Sequence, residues 1–190
     1  MAYLLDIAGS FIIASMVVLI LLVLNLNIMS GTTENLNTNI AQRDLTSTVW
    51  IIEYDLFKIG YRVTGNKIEI ADSNEIKFYS DFNNNGTIDS IHYYLGNVSV
   101  FGSTPNPLDR PLYRKENNNS NIAIFSVVDF ALTYSDSIGN NIDYASLSSA
   151  AVRNTIRTIN VELKIESGSP INGIYQVSQW EKKITPKNLR

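Results

Sequence analysis

Five oxygen-bearing side chains alternate along a short polar turn, and their types and spacing suit a calcium ion. The five residues are Asp81, Asn83, Asn85, Thr87 and Asp89. Calcium prefers carboxylate, amide and carbonyl oxygens, and Gly86 stands where a calcium loop turns sharply. However, His92 occupies the twelfth position, where such loops place a bidentate Glu. The pattern predicts either a calcium site or a β-hairpin with Asn85-Gly86 in its turn, which needs no ion.

Few other side chains in the sequence could do chemistry. The chain has no Cys and a single His, which excludes disulfides, thiol nucleophiles and Cys-ligated metals. No acid–nucleophile constellation is visible around His92 in the sequence, so we expect a half-exposed strand residue there and no enzymatic activity. Lys and Arg number 15 against 18 Asp and Glu, a net charge of −3 without a dense basic run. This balance argues against a nucleic-acid surface. We expect no cofactor beyond the candidate calcium ion.

The first 30 residues contain one charged side chain, that of Asp6. The 18 residues from Ile7 to Leu24 carry no charge, which is long enough for a helix to cross a bilayer core of about 30 Å. A cleaved signal peptide is the alternative, but such peptides open with basic residues, and the first basic residue here is Arg43. We therefore expect a membrane-spanning or buried helix over residues 1–30.

A second pattern follows the apolar run and predicts an amphipathic helix over residues 31–60. Steps of mostly three and four residues separate Leu36, Ile40, Leu45, Val49, Ile52, Leu56 and Ile59. Gly60 stands where a left-handed cap would end the helix. The Asn/Thr/Gly-rich stretch from Asn25 to Asn39 contains poor helix formers, so we expect weakening or local unwinding there. A continuous helix is one prediction, and a break near Ser30 to Thr33 is the other.

Beyond Tyr61 the apolar period changes from 3.6 to 2, as expected for strands with one buried face. The clearest run is Ile159, Val161, Leu163 and Ile165, and shorter runs begin at Ile68, Ile76, Ile91 and Val128, with a less regular one from Tyr175 to Ile184. Short Gly- and Asn-rich connections predict a mostly antiparallel sheet of five to seven strands. Two segments, Gly102 to Ser120 and Asp136 to Asn154, are predicted to be irregular exposed loops.

These patterns together predict an α+β fold. A long N-terminal helix, apolar in its first half and amphipathic in its second, packs on a C-terminal antiparallel sheet. Residues 1–30 form the apolar helix, 31–60 continue it into the head, and 61–190 form the globular head.

This arrangement resembles type IV pilins and pseudopilins, and more narrowly the PilW-type minor pilins. The resemblance rests on the apolar helix with an early acid, on the helix end from Leu45 to Tyr61, on the segment Phe78 to Asp89 and on the ending Ile184 to Arg190. The family's mature N terminus reads Phe-Thr-Leu-Ile-Glu, which the residues from Ala2 to Asp6 match in acid position and aliphatic character but not in the first residue.

The resemblance implies that Asp6 pairs with the terminal amine of a neighbouring subunit during assembly. Met1, Ala2 and Tyr3 would lie at that contact. The implied hydrophobic core of the filament consists of Phe11, Ile12, Ile13, Val17, Val18, Ile20, Leu21 and Leu24. The alternative for Asp6 is a solvated acid in the headgroup layer, favoured there by the helix dipole.

Two family features are missing from this sequence. Members carry a basic leader ending in Gly, and none precedes Ala2, so either the chain is the processed form or Met1 or Ala2 serves directly. Members also commonly have a Pro in the apolar half, and no Pro precedes Pro105. We therefore do not expect a proline kink in the helix, although Asn25 and Asn27 could loosen it.

Two functions follow as hypotheses. In the first, the protein is a structural subunit of a type IV pilus-like filament, inserted in the cytoplasmic membrane before assembly and extracellular afterwards. Its partners would be copies of itself and the pilus or secretion assembly machinery. In the second, it is a single-span membrane-anchored binding protein or adhesin that does not polymerise, with a linker from Gly31 to Asn39. The amphipathic pattern from Leu36 to Ile59 favours the first.

Overall fold

The computed structural model describes residues 2–98, 106–119, 122–171 and 173–189. One long N-terminal helix leads into a head in which the described residues form eight strands, so the predicted α+β class is confirmed. All strand pairs in the head are antiparallel, as predicted.

The helix α1 runs without interruption over Ala2–Phe57, a length of about 84 Å. The expected unwinding between Asn25 and Asn39, and the alternative break near Ser30 to Thr33, are therefore both wrong. The threonines of this stretch satisfy their own polar groups. Thr32 and Thr33 each donate a hydroxyl hydrogen bond of 2.9 Å to the carbonyl four residues earlier. Because these hydroxyls are satisfied within the helix, the polar stretch does not have to unwind.

The helix ends where the sequence predicts, within two residues. The last helical residue is Phe57 and not Ile59, and Gly60 has the predicted left-handed conformation with φ of 77°. The Gly60 N–H donates to the Tyr79 carbonyl at 2.9 Å. A side chain at Gly60 would also meet Lys67 at 2.7 Å, so both the conformation and the space require glycine.

The eight strands form two antiparallel sheets. They are β1 Ile68–Ala71, β2 Glu75–Ser80, β3 Asp89–Leu95, β4 Arg110–Glu116, β5 Ile122–Val127, β6 Asp129–Ser135, β7 Thr158–Glu166 and β8 Val177–Ile184. Strands β1 to β5 make a five-stranded sheet in sequence order, and β6 to β8 make a three-stranded sheet. The single predicted sheet of five to seven strands is therefore two sheets.

The segment Gly102 to Ser120, predicted to be an irregular loop, contains strand β4, and that prediction is wrong for Arg110–Glu116. The strand includes Pro111 and four charged residues, and its two buried residues, Pro111 and Leu112, are adjacent, so no alternation is visible in the sequence. Strand β5 was not predicted either. The other predicted loop, Asp136 to Asn154, is mostly irregular but contains a 3-10 helix Tyr144–Ser148 and a short helix α2, Ala150–Arg153.

The core lies between the C-terminal part of α1 and the two sheets. The helix contacts β5, β7 and β8 and buries Ala41, Val49, Ile52 and Leu56, and Ile59 is buried just beyond its end. The predicted amphipathic face is therefore confirmed from Val49 onward, with Leu45 partly buried. It is wrong for Leu36 and Ile40, which are 57% and 46% exposed, because the step of five residues from Ile40 to Leu45 places them on the side of the helix that faces away from the head.

A buried ion pair fixes the helix to the five-stranded sheet. The Asp55 carboxylate, 2% exposed, accepts a 2.6 Å hydrogen bond from the Tyr93 hydroxyl of β3. The same carboxylate accepts a 2.6 Å hydrogen bond from Arg114 Nε of β4. Burial raises the pKa of Tyr93, and the Asp55 charge raises it further, which keeps the hydroxyl protonated as a donor. Burial acts to lower the pKa of Arg114, but the hydrogen bond and charge of Asp55 outweigh it and raise that pKa.

We predict that Asp55→Ala lowers the free energy of unfolding of the head by about 3 kcal/mol, because it leaves the buried Tyr93 hydroxyl without its acceptor and the Arg114 guanidinium with Glu116 as its one remaining acid partner. Glu53→Ala is the matched control, since it removes an acid two residues away whose partner Lys182 is 44% exposed. That change should cost less than about 1 kcal/mol. Chemical unfolding of the full chain in detergent, followed by near-ultraviolet circular dichroism, measures both values. Equal losses for the two variants would contradict the importance of the buried pair.

Candidate functional site

The apolar half of α1 has no cover within the described chain. The eight side chains predicted to form a filament core are each between 50% and 76% exposed. They are Phe11, Ile12, Ile13, Val17, Val18, Ile20, Leu21 and Leu24. The neighbouring apolar residues from Met16 to Met29 are exposed in the same way, so the surface is apolar on every side of the helix. This helix is long and apolar enough to cross a membrane.

The residues predicted to make the assembly contact lie at the free end of this helix. Tyr3 is 84% exposed, and the Asp6 side chain is exposed and pairs with none of the described residues. Ala2 begins the helix, while Met1 lies outside the described residues. Ser10 donates its hydroxyl to the Asp6 carbonyl at 2.8 Å, so it satisfies the backbone and leaves the carboxylate available. The Asp6 carboxylate is therefore a charge on an apolar helix without a partner in its own described chain.

Sequence reasoning missed a second exposed surface on α1, opposite the head. We call it the outer stripe, and it consists of Leu36, Ile40, Trp50, Tyr54 and Phe57. Each is at least 44% exposed, and Trp50 is 74% exposed. The three aromatic residues follow one another at steps of four and three, so they lie on one side of the helix. The sequence does contain a signal for this surface. Trp50, Tyr54 and Phe57 repeat at helical spacing, but on the other side of the helix from the buried apolar residues.

The polar turn between β2 and β3 is closed by its own hydrogen bonds. Asp81, fully buried, accepts hydrogen bonds from Arg62 Nη1 at 2.9 Å and from the backbone N–H groups of Gly86 and Asn85 at 3.0 and 3.1 Å. Burial acts to raise the pKa of Asp81, but Arg62 and these N–H groups outweigh it and hold that pKa below its ordinary value. Both Asp81 oxygens therefore accept hydrogen bonds from donors within the chain.

The other predicted calcium ligands are used in the same way. Asn83 accepts from the Asn85 N–H at 3.0 Å, and Asn85 accepts from the Thr87 N–H at 2.7 Å. Asp89 accepts from the Phe82 N–H and from the Asn117 amide. Among the described residues no three acidic or His side chains cluster for a metal. These hydrogen bonds hold the loop without an ion, and the calcium site stays a prediction.

The connection is a hairpin, but not the tight one that the Asn85-Gly86 pair suggested. Ser80 pairs with Asp89, so eight residues, 81–88, make the loop. Asn84 and Gly86 adopt left-handed conformations with φ of 59° and 84°. The internal hydrogen bonds of Asp81 take the place of a two-residue turn in holding this longer loop.

His92 lies on β3 as a half-buried strand residue, as predicted. Its Nε2 lies 2.7 Å from Glu75 Oε1, and its ring contacts that of Tyr94 at 4.8 Å between centroids. The geometry therefore gives His92 a contact that joins β3 to β2.

Comparison of this chain with family models, curated proteins and solved structures finds no match. The resemblance to type IV pilins thus rests on the quoted residues and on the order of helix and sheet.

We predict that calcium does not raise the melting temperature of the full chain above the effect of equal magnesium, because hydrogen bonds already occupy the oxygens of Asp81 and Asp89. Asp81→Asn should lower the melting temperature equally with and without calcium, since a neutral amide pairs less well with Arg62. Thermal melting in detergent measures both effects. A calcium-specific rise that Asp81→Asn abolishes would restore the calcium site.

Proposed function

We propose that this protein is a structural subunit of a type IV pilus-like extracellular filament. The observation that carries the proposal is the continuous helix α1, whose first half is apolar on all sides and uncovered while its second half is anchored in the head. Before assembly the apolar half lies in the cytoplasmic membrane. After assembly it lies against the same segment of other copies, and the heads form the outer surface.

The physical basis is the cost of exposing this segment to water. Fully burying one Leu, Ile, Val or Phe side chain gains about 1.5 to 3 kcal/mol. The eight side chains of the predicted core are between 50% and 76% exposed, so burying the rest of their surface gains on the order of 10 kcal/mol relative to water. A membrane or a bundle of copies provides that burial, and water does not.

Transfer from lipid to a helix bundle gains little from the hydrophobic effect, because lipid tails are as apolar as leucine. Polar contacts and packing must therefore favour the filament over the membrane. The unpaired Asp6 provides one such contact. A carboxylate in an apolar segment costs up to about 3 kcal/mol at the bilayer centre and less near the interface, where Asp6 would lie, and pairing it with the terminal amine of a neighbour offsets that cost.

The outer stripe provides a second contribution. Trp50 lies about 39 Å along the helix from Leu24, so it stands outside any membrane that residues 7–24 span. Burying Trp50 against another subunit removes apolar surface from water, which is favourable. The apolar half leaves lipid and not water when it assembles, so it makes no such gain. Contacts of this head-to-tail kind need not close, so the assembly grows at its end.

We predict that Asp6→Ala strongly reduces surface filaments while the head keeps its melting temperature, because the variant removes the acid that pairs between subunits. Glu34→Ala is the matched control, since it removes the same charge from an exposed position of the same helix. Electron microscopy of sheared cell-surface material counts the filaments. Normal filaments from Asp6→Ala would remove the pairing role, and absence of filaments from the unmodified protein would favour the membrane-anchored monomer.

We also predict that Trp50→Ala weakens each subunit contact by about 2 kcal/mol, more than tenfold in its equilibrium constant, because a buried Trp is lost. Ile138→Ala is the control, since Ile138 is 80% exposed on a loop of the head. Filament yield and the melting temperature of the head are measured together. An unchanged yield would show that the outer stripe faces solvent in the assembled state.

A further inference from the structure

A cavity of about 140 Å³ lies at the edge of the head beside the end of α1. Its walls come from the turn before β1, from α2 and the residues after it, and from the C-terminal 3-10 helix Lys187–Leu189. The side chains that matter for its chemistry are Lys67, Arg153 and Arg157, all half-buried. The cavity is therefore small, polar and lined by three cations.

None of the three cations pairs with a carboxylate of the described chain. Backbone carbonyls orient them instead. Arg153 Nη1 donates to the carbonyls of Leu147 and Ser148, each at 2.7 Å. Arg157 Nη1 donates to the carbonyls of Asn154 and Ile156 at 2.8 and 2.9 Å, and Lys67 donates to that of Asn188.

These contacts leave the positive charge of the three side chains unneutralised and several of their N–H donors without an acceptor in the described chain. Carbonyls hold the Nη1 atom of each guanidinium, whereas Nη2 of Arg153 and both Nε and Nη2 of Arg157 bond no described residue. Cations of similar exposure elsewhere in the head do pair with acids, as Lys77 does with Glu69 and Arg114 with Asp55. Half-buried charges without counter-charge cost free energy, which an anion in the cavity would repay.

We propose that this cavity binds a tetrahedral oxyanion, a phosphate or sulfate group, held by Lys67, Arg153 and Arg157. Guanidinium groups bind such anions through paired N–H donors, and backbone contacts have already fixed the orientation of both arginines. The volume suits one such group. The site is independent of the filament proposal, because it lies at the other end of α1 from Asp6.

The test is isothermal titration of the full chain in detergent with inorganic phosphate, at constant ionic strength set with sodium chloride. We expect saturable binding and a rise in melting temperature that chloride alone does not give. Lys67→Gln and Arg157→Gln should each weaken phosphate binding by about tenfold or more, the loss of one charge-assisted contact. Lys183→Gln removes the same charge from an exposed position on β8 and should change the affinity less than about twofold.

Glucose 6-phosphate and inorganic sulfate form the second arm of the titration. Tighter binding of the sugar phosphate would indicate an anionic group carried on a larger molecule, and tighter binding of an inorganic ion would indicate the free anion. No saturable binding of any of the three would overturn the proposal. Equal binding by the unmodified chain and both cavity variants would overturn it as well, and a melting control shows that the variants fold.

Discussion

An apolar helix surface that its own chain leaves uncovered constrains everything else in this molecule. Residues from Phe11 to Leu24 are exposed on every side, whereas the C-terminal part of the same helix is buried in the head from Ala41 onward. Because α1 is unbroken, the two environments belong to one rigid element. The head completes its own core, whereas no described residue covers the apolar half, which is long and apolar enough to cross a membrane.

The Asp55 ion pair connects this constraint to the head. The pair joins α1 to β3 and β4 of the five-stranded sheet. Direct packing on β7 and β8 joins the same helix to the three-stranded sheet. The rotation of the helix against the sheets is thereby fixed, and with it the direction in which Trp50 and Tyr54 point. A uniformly apolar interface would permit several rotations, whereas a buried carboxylate with two specific donors permits one.

Local patterns predicted the fold well and the contacts poorly. The long helix, the Gly60 cap and the alternation of β7 follow from period and backbone preference, which a sequence displays directly. Strand β4 was missed because its neighbours in the sheet, and not its own pattern, make it a strand. The roles of Asp55 and Asp81 depend on partners distant in sequence, which no local spacing reveals. Polar oxygens around Gly86 suggested an ion because a calcium ligand and a turn acceptor use the same side chains.

Disulfide cross-linking tests the central claim, that copies of α1 cover one another, most directly. The chain has no Cys, so single cysteines introduced one at a time over residues 11–24 have no background. Ile138→Cys, on an exposed loop of the head, is the control. Oxidation of intact cells should join chains through cysteines at several positions between 11 and 24, with little joining through residue 138. Monomers at every position from 11 to 24, in cells that display the protein, would contradict the account.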